Sequence, residues 1–383
     1  MSRYWKWLLV FAFLVESSAS TLPNPTKKKG AGPLFRIHRE ERWGFMDRSG
    51  KTIIAPRFAT AGDFFNGLAC VRENSKCGYI DLTGRVTIPY QFDECRDFSE
   101  GVAAVKAGAD WGFVDSKGKF VISPHLKAAA DFHEGLARFE EWDTIQCFDG
   151  AHTKDDAPDW AYMLHDGRSN TDDMGLDACW GGRFGFIDHS GKTVIAPAFK
   201  RAWEFSEGRA VVRTDGLKYG YIDKTGKIVI KPQFDSASDF SEGLASVDYY
   251  GPPQRAGYID LNGVFVIAPR FLFTFSFSEG IAPVAVTSNR WGFIDHRGAF
   301  VIPPKFAHAQ AFSEGFAVVF SDDILGSYYV DKKGKFAFAG GMNPAWPFVD
   351  GLGLAARETG TVYLDRKGRV VETYEFPWKP KPE

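Results

Sequence analysis

One phrase recurs along this chain, and its period limits what the chain can build. Trp43-Gly44-Phe45-Met46-Asp47 returns as Trp111-Gly112-Phe113-Val114-Asp115 and as Trp291-Gly292-Phe293-Ile294-Asp295. Tyr219-Gly220-Tyr221-Ile222-Asp223 and Phe184-Gly185-Phe186-Ile187-Asp188 are looser copies. The closing aspartates fall at 47, 81, 115, 188, 223, 260, 295, 331 and 365, with intervals of 34, 34, 73, 35, 37, 35, 36 and 34. That is nine copies with one insertion after the third. A unit of roughly 35 residues cannot bury its own apolar face, so neighbouring units must stack into a continuous core.

Within each copy, an apolar run ends at Asp, and Gly follows three places later, at 50, 84, 118, 191, 226, 263, 298, 334 and 368. Asp bonds the amides of its own turn, and Gly accepts positive φ, so the pair predicts a tight hairpin turn. A returning strand such as Lys227-Ile228-Val229-Ile230 comes next. Proline at 56, 124, 197, 232, 269 and 304 is expected to end its pairing. A crossing with one phenylalanine leads to Phe-Ser-Glu-Gly, as at Phe98 to Gly101 and Phe240 to Gly243, and a third strand follows. The small residue two places after that glycine (Ala69, Ala103, Ala137, Ala210, Ala245, Ala282, Ala317, Gly353) points to close approach by a backbone or ring. The high content of glycine (40) and phenylalanine (35) fits short strands and tight turns. The fold class is therefore all-β, a tandem array of three-stranded meanders.

The Trp/Tyr-Gly-Phe-Ile-Asp turn, Gly-Lys-x-Val-Ile-x-Pro and Phe-Ser-Glu-Gly-Leu-Ala together resemble the WG (KWG) repeat family, found mostly in bacterial proteins. The resemblance covers about Arg36 to Phe376 apart from the insertion. It implies a non-catalytic repeat or interaction module and carries no catalytic residues to transfer. The eighth copy has Ser327-Tyr328 for Trp-Gly and the ninth has Thr361-Val362, divergence expected of capping units. Propeller blades usually have four strands and about 40 or more residues, and rings of typically 4–8 blades are known. An open curved solenoid is therefore expected over the alternative, a closed propeller-like ring.

The domain plan reads as signal peptide 1–20, flexible linker 21–35, repeats one to three 36–140, an acidic tryptophan-containing insertion 141–183, repeats four to nine 184–376, and a Pro/Lys tail 377–383. Arg3 and Lys6, the apolar run Trp7 to Val15, and Ser18-Ala19-Ser20 form the pattern of a secretory signal. This predicts an extracytoplasmic protein, periplasmic or secreted, with no membrane span once the signal is removed. A net charge of -2 argues against a nucleic-acid partner.

Candidate chemistry is sparse. The eight histidines share no metal spacing, and the hydrolase, phosphate-loop and zinc-protease motifs are absent, so neither enzyme activity nor a metal or cofactor is expected. The repeated aspartates read as turn residues. The glutamates Glu100, Glu134, Glu207, Glu242, Glu279 and Glu314 are expected to pair with the turn lysines Lys51, Lys119, Lys192 and Lys227, to satisfy amides at the crossing, or to form a ligand-binding stripe. Trp43, Trp111 and Trp291 share a position with Tyr219 and Phe184, which marks a core site, with a sugar-stacking platform as the alternative.

Individuality concentrates in the insertion. Its binding candidates are Trp142, Asp155, Asp156, Trp160, Asp172, Asp173 and Trp180, and its aspartates match no calcium-loop spacing. For an exported chain, Cys70 with Cys77 and Cys147 with Cys179 are candidate disulfides. Register symmetric about Glu73-Asn74 sets the first pair opposite, and Cys95 is left over. The expected function is a protein-interaction scaffold for an unidentified protein or envelope component. Carbohydrate or cell-wall binding through exposed aromatic rings is the rival.

Overall fold

Each copy of the repeat folds into one small antiparallel sheet. The computed structural model describes residues 32–142, 182–251, 253–321, 326–338, 342, 345–357 and 360–374. Nine sheets follow in chain order at 35–58, 60–92, 94–126, 128–199, 201–234, 236–271, 273–306, 308–331 and 345–374, numbered here as blades one to nine. Blades one and eight have three strands and the other seven have four, each strand paired with its chain neighbour.

The unit is thus four-stranded where the sequence predicts three, because the crossing itself pairs. Blade two shows the plan: Thr60–Ala61, Leu68–Glu73, Lys76–Asp81 and Val86–Phe92. Its first strand is only two residues long, set by Thr60 opposite Arg72 and Ala61 opposite Val71. Phe-Ser-Glu-Gly then makes the turn between the first and second strands. In blade five Ser206 and Arg209 exchange backbone hydrogen bonds of 2.8 and 3.1 Å, with Glu207 and Gly208 at φ 53° and 75° between them. Two central residues with positive φ give the turn whose twist matches the flanking strands. The insertion lies inside blade four rather than between copies, since Trp142 pairs with Gly182 across its second and third strands.

Proline does not end the fourth strand, as expected, but sits inside it, at a bulge. In blade seven Trp291 faces Phe306 and Phe293 faces Ile302, so three residues around Pro304 stand against Gly292 alone. A Cβ on Gly292 would lie 2.6 Å from the Ile302 carbonyl oxygen and 2.8 Å from the Pro304 nitrogen. Gly44, Gly112, Gly185 and Gly257 meet the same obstacle from Ile54, Ile122, Ile195 and Ile267. Blade nine, with Val362 in place of this glycine, has the proline-free strand Val370–Tyr374 paired residue for residue from Thr361 to Tyr363. Glycine and proline bulge therefore come and go together, so the divergence of the last copies reflects a change in strand pairing.

Junctions between blades repeat one device. The ring two residues before each turn aspartate packs on the phenylalanine that opens the next blade's Phe-Ser-Glu-Gly. Phe45–Phe64, Phe113–Phe132, Tyr258–Phe277 and Tyr329–Phe348 have centroids 4.7, 4.9, 4.9 and 4.9 Å apart. Where the ring is tyrosine, its hydroxyl donates to a backbone carbonyl of the next blade: Tyr79 to Arg96 (2.7 Å), Tyr221 to Ser238 (2.8 Å), Tyr258 to Phe275 (2.7 Å). Burial holds the Tyr79, Tyr221 and Tyr258 hydroxyls well above the ordinary phenol range. Blade nine applies the device to blade one. Tyr363 donates to the Arg36 carbonyl at 3.0 Å, and its ring stands 5.8 Å from Phe35. Arg39 pairs with Glu372 at 2.8 Å, and Phe35, Ile37, Met46 and Leu352 share one buried cluster.

The array is therefore a closed nine-bladed β-propeller, which corrects the open solenoid. The physical reason is that both ends carry complementary apolar faces, which an open array would leave in water.

Candidate functional site

The repeated polar residues build the ring. Every turn aspartate accepts from the amides two and four residues on; for Asp47 these are Ser49 at 2.8 Å and Lys51 at 3.1 Å, and Asp260 and Asp365 repeat the pattern. Hydrogen bonds to Ser49 and the amides of its turn hold the Asp47 carboxyl below its ordinary range. The aspartate at each turn is thus a structural acceptor.

Each glutamate of Phe-Ser-Glu-Gly reaches the next blade, as its amide-satisfying reading expects. The Gly315 amide donates to Glu279 at 3.0 Å, Gly243 to Glu207 at 2.9 Å, and Gly351 to Glu314 at 2.8 Å. The cationic partner is the residue after the turn aspartate rather than the expected lysine beyond the glycine. Lys224–Glu134 (3.1 Å), Lys332–Glu279 (3.2 Å) and Arg366–Glu314 (3.3 Å) are the lysine and arginine cases. His189 and His296 take the same place, 3.4 Å from Glu100 and 3.2 Å from Glu242, stacked on Phe132 and Phe277. The preceding serine stitches the same junction, Ser241 donating to the Phe277 carbonyl at 2.8 Å.

Trp111 and Trp291 are buried and Trp43 is half-buried against the core of blades one and two. All three fill the core position, and burial removes Trp111 and Trp291 as a sugar platform. Gly353 meets the predicted ring, because a Cβ there would fall 2.7 Å from Phe348.

Sequence reasoning missed two features. The first is a row of carboxylates before the junction phenylalanines. Burial and the neighbouring Asp63 and Asp131 push Asp97 up to about 7 against the pull of Arg36 and Arg96. Asp131 is raised by its own burial, with Arg96 opposing. Arg36 bonds Asp63 at 2.7 Å and Arg138 pairs with Glu204 at 3.4 Å, so the row alternates with arginines.

The second is an apolar edge. The fourth strand ends its sheet in blades two to seven, and its first two residues face solvent in most of them. Phe120 and Val121 are 37% and 45% exposed, Phe265 and Val266 37% and 49%, Phe300 and Val301 41% and 46%. Ile53, Val86, Val194, Ile228 and Val370 continue the series in other blades. Strand side chains alternate between faces, so two adjacent apolar residues cannot both reach the core. That doubling was the available signal.

The insertion candidates Asp155, Asp156, Trp160, Asp172, Asp173 and Trp180 lie outside the described residues, as do the Trp142 side chain and Cys147 with Cys179. So does the segment read as a signal peptide. No helix among the described residues is long and apolar enough to cross a membrane. The expected Cys70–Cys77 pairing is corrected. The hairpin turns on Asn74-Ser75, with Glu73 opposite Lys76, so Cys70 faces Tyr79 and Cys77 faces Arg72. Cys95, expected to be left over, lies within bonding reach of both, at Cα separations of 6.4 and 6.2 Å.

Solved structures with a similar arrangement include a eukaryotic initiation factor (11% identity, TM-score 0.42, covering 81% of this chain and 95% of that one). BamB from Moraxella catarrhalis (9%, 0.35, 77% and 95%) and a streptogramin B lyase (12%, 0.32, 75% and 93%) are others. Likenesses this distant carry no functional argument. A comparison with curated proteins finds no match. The family model for the WG containing repeat matches residues 43–77, 78–108, 111–141, 184–217, 219–251, 257–287 and 291–323, more than half of the chain. With that motif phased on the blades of a closed ring, the chain belongs to the WG-repeat family.

Proposed function

We propose that this protein is a non-catalytic interaction scaffold acting outside the cytoplasm, and that it binds a protein partner along the edges of its blades. The observation that carries this reading is the exposed apolar pair at the start of the edge strand, as in Phe120-Val121, Phe265-Val266 and Phe300-Val301. Edge strands present unpaired backbone groups, and soluble proteins normally blunt them with charge. Exposed apolar residues repeated on such edges mark a contact surface. The polar motifs of the repeat are committed to turns and junctions, which favours binding over chemistry. Export rests on Arg3, Lys6 and the apolar run Trp7 to Val15.

The test is affinity capture from cell-envelope extract by the chain from Thr21 onward, beside a variant carrying F265E, V266K, F300E and V301K and a second lacking residues 143–181. A discrete protein retained by the parent and lost by the edge variant supports the reading. A protein retained by the edge variant and lost on deletion moves the site to the insertion. Saturable binding to purified cell-wall material, with no captured protein, replaces the reading with a carbohydrate-binding one.

A further inference from the structure

We propose that Cys70, Cys77 and Cys95 form a thiol–disulfide exchange site at the junction of blades two and three, in which Cys95 bonds to one of the other two and the remaining thiol can displace it. The three sulfurs all lie within 4.8 Å of one another. Cys95 stands at Cα separations of 6.4 Å from Cys70 and 6.2 Å from Cys77, both inside the range of about 4.4–6.8 Å in which disulfides form. A sulfur makes one disulfide bond, so the two partners compete for Cys95.

The repeat supplies its own comparison. Cys77 occupies the position held by Trp43, Trp111 and Trp291, so an indole is replaced by a thiol where the neighbouring chain comes close. Cys95 stands where Ala61, Ala129 and Ala202 stand in other blades, and Cys70 where Ala104 and Val211 stand. Among the described residues these substitutions coincide at one junction alone, and the other junctions form without a cysteine. The fold therefore does not require the three together.

Burial separates the two bonded forms. Cys77 is fully buried, whereas Cys70 and Cys95 are half-buried against the same core. With Cys70 bonded to Cys95, the remaining thiol is hidden. With Cys77 bonded to Cys95, the remaining thiol is that of Cys70, which is partly exposed. Formation is a two-electron oxidation, in which Cys95 and one partner each lose a proton and a low-molecular-weight disulfide is reduced to two thiols. Exchange is redox-neutral. The Cys77 thiolate attacks the Cys95 sulfur, a Cys77–Cys95 bond forms as Cys70–Cys95 breaks, and the electron pair leaves on Cys70, which takes up the proton that Cys77 lost. The substrates such a site accepts are small thiols and disulfides.

The experiment uses the full chain with C147S and C179S, equilibrated with glutathione disulfide, quenched in acid, alkylated and mapped by peptide mass spectrometry. The expected result is one alkylated thiol among the three per molecule, with both Cys70–Cys95 and Cys77–Cys95 links recovered. C70S then yields only Cys77–Cys95, C77S only Cys70–Cys95, and C95S neither. A Cys70–Cys77 link overturns the proposal, as does a single Cys95 link whose alternative fails to form in the folded variant. Three thiols that resist the oxidant, whether free or shielded by a bound zinc ion, overturn it as well. If a variant fails to fold, the mapping of the chain with all three cysteines decides alone.

Discussion

Replacing Gly292 with alanine tests the pairing of glycine with the proline bulge. The added carbon would sit 2.6 Å from the Ile302 carbonyl oxygen and 2.8 Å from the Pro304 nitrogen, so backbone blocks it on both contacts. Neither atom belongs to a flexible side chain that can rotate away. The fourth strand must move by about 0.5 Å or more, and forcing an extra carbon into a packed site costs about 1–3 kcal/mol. A cooperative unit of about 300 residues unfolds with an entropy of about 0.6 kcal/mol/K, so the melting midpoint should fall by about 2–5 °C. Gly216→Ala is the control, because a Cβ there meets nothing within 4 Å. Differential scanning calorimetry of both variants gives the comparison, and hydrogen exchange should show added opening at 300–306. A G292A protein that melts with the parent would refute the argument that the bulge dictates glycine.

Further expectations follow from the junctions. Tyr258→Phe leaves the Phe275 carbonyl without its 2.7 Å donor, and should cost about 1–2 kcal/mol by thermal melting. Glu279→Ala removes the acceptor of the Gly315 amide and the partner of Lys332 and should destabilise by about 1 kcal/mol. Glu279→Asn, which tolerates the φ of 56°, should recover part of that loss. Asp97 and Asp248, both pushed by burial up to about 7, bind protons more readily folded than unfolded. Their contribution to stability is full below about 4 and falls as pH rises toward about 7. Asp97→Asn should flatten that part of the stability profile, read by denaturant melts across the range.

Period, blade count and the role of each turn aspartate were legible in the sequence because they depend on local chemistry. Asp and Gly at fixed spacing dictate a turn wherever they occur. The fourth strand was harder to see, since Thr60–Ala61 pairs through two residues and has no room for an alternating pattern. Closure was hidden for another reason. It rests on contacts between residues more than three hundred apart, such as Tyr363 with Arg36, and a short period fixes the neighbour relation without fixing the angle between neighbours. The glutamate partners were half legible: the donating amide follows from the turn, but the cation sits one place after the aspartate of the next blade. Cys95 was misread because hairpin register alone places Cys70 and Cys77, whereas the third sulfur arrives from the neighbouring blade.

Closure is tested most directly by a distance between the first and ninth blades. Spin labels carried on non-natural residues at Arg48 and Asp350 leave the native cysteines untouched, and Arg48 already lies against Gly351. Pulsed dipolar spectroscopy should return one short distance, at the lower end of the measurable range. Nine sheets stacked in an open line at about 10 Å per interval would place the same labels about 80 Å apart. A long or broad distribution near that value would contradict the closed ring.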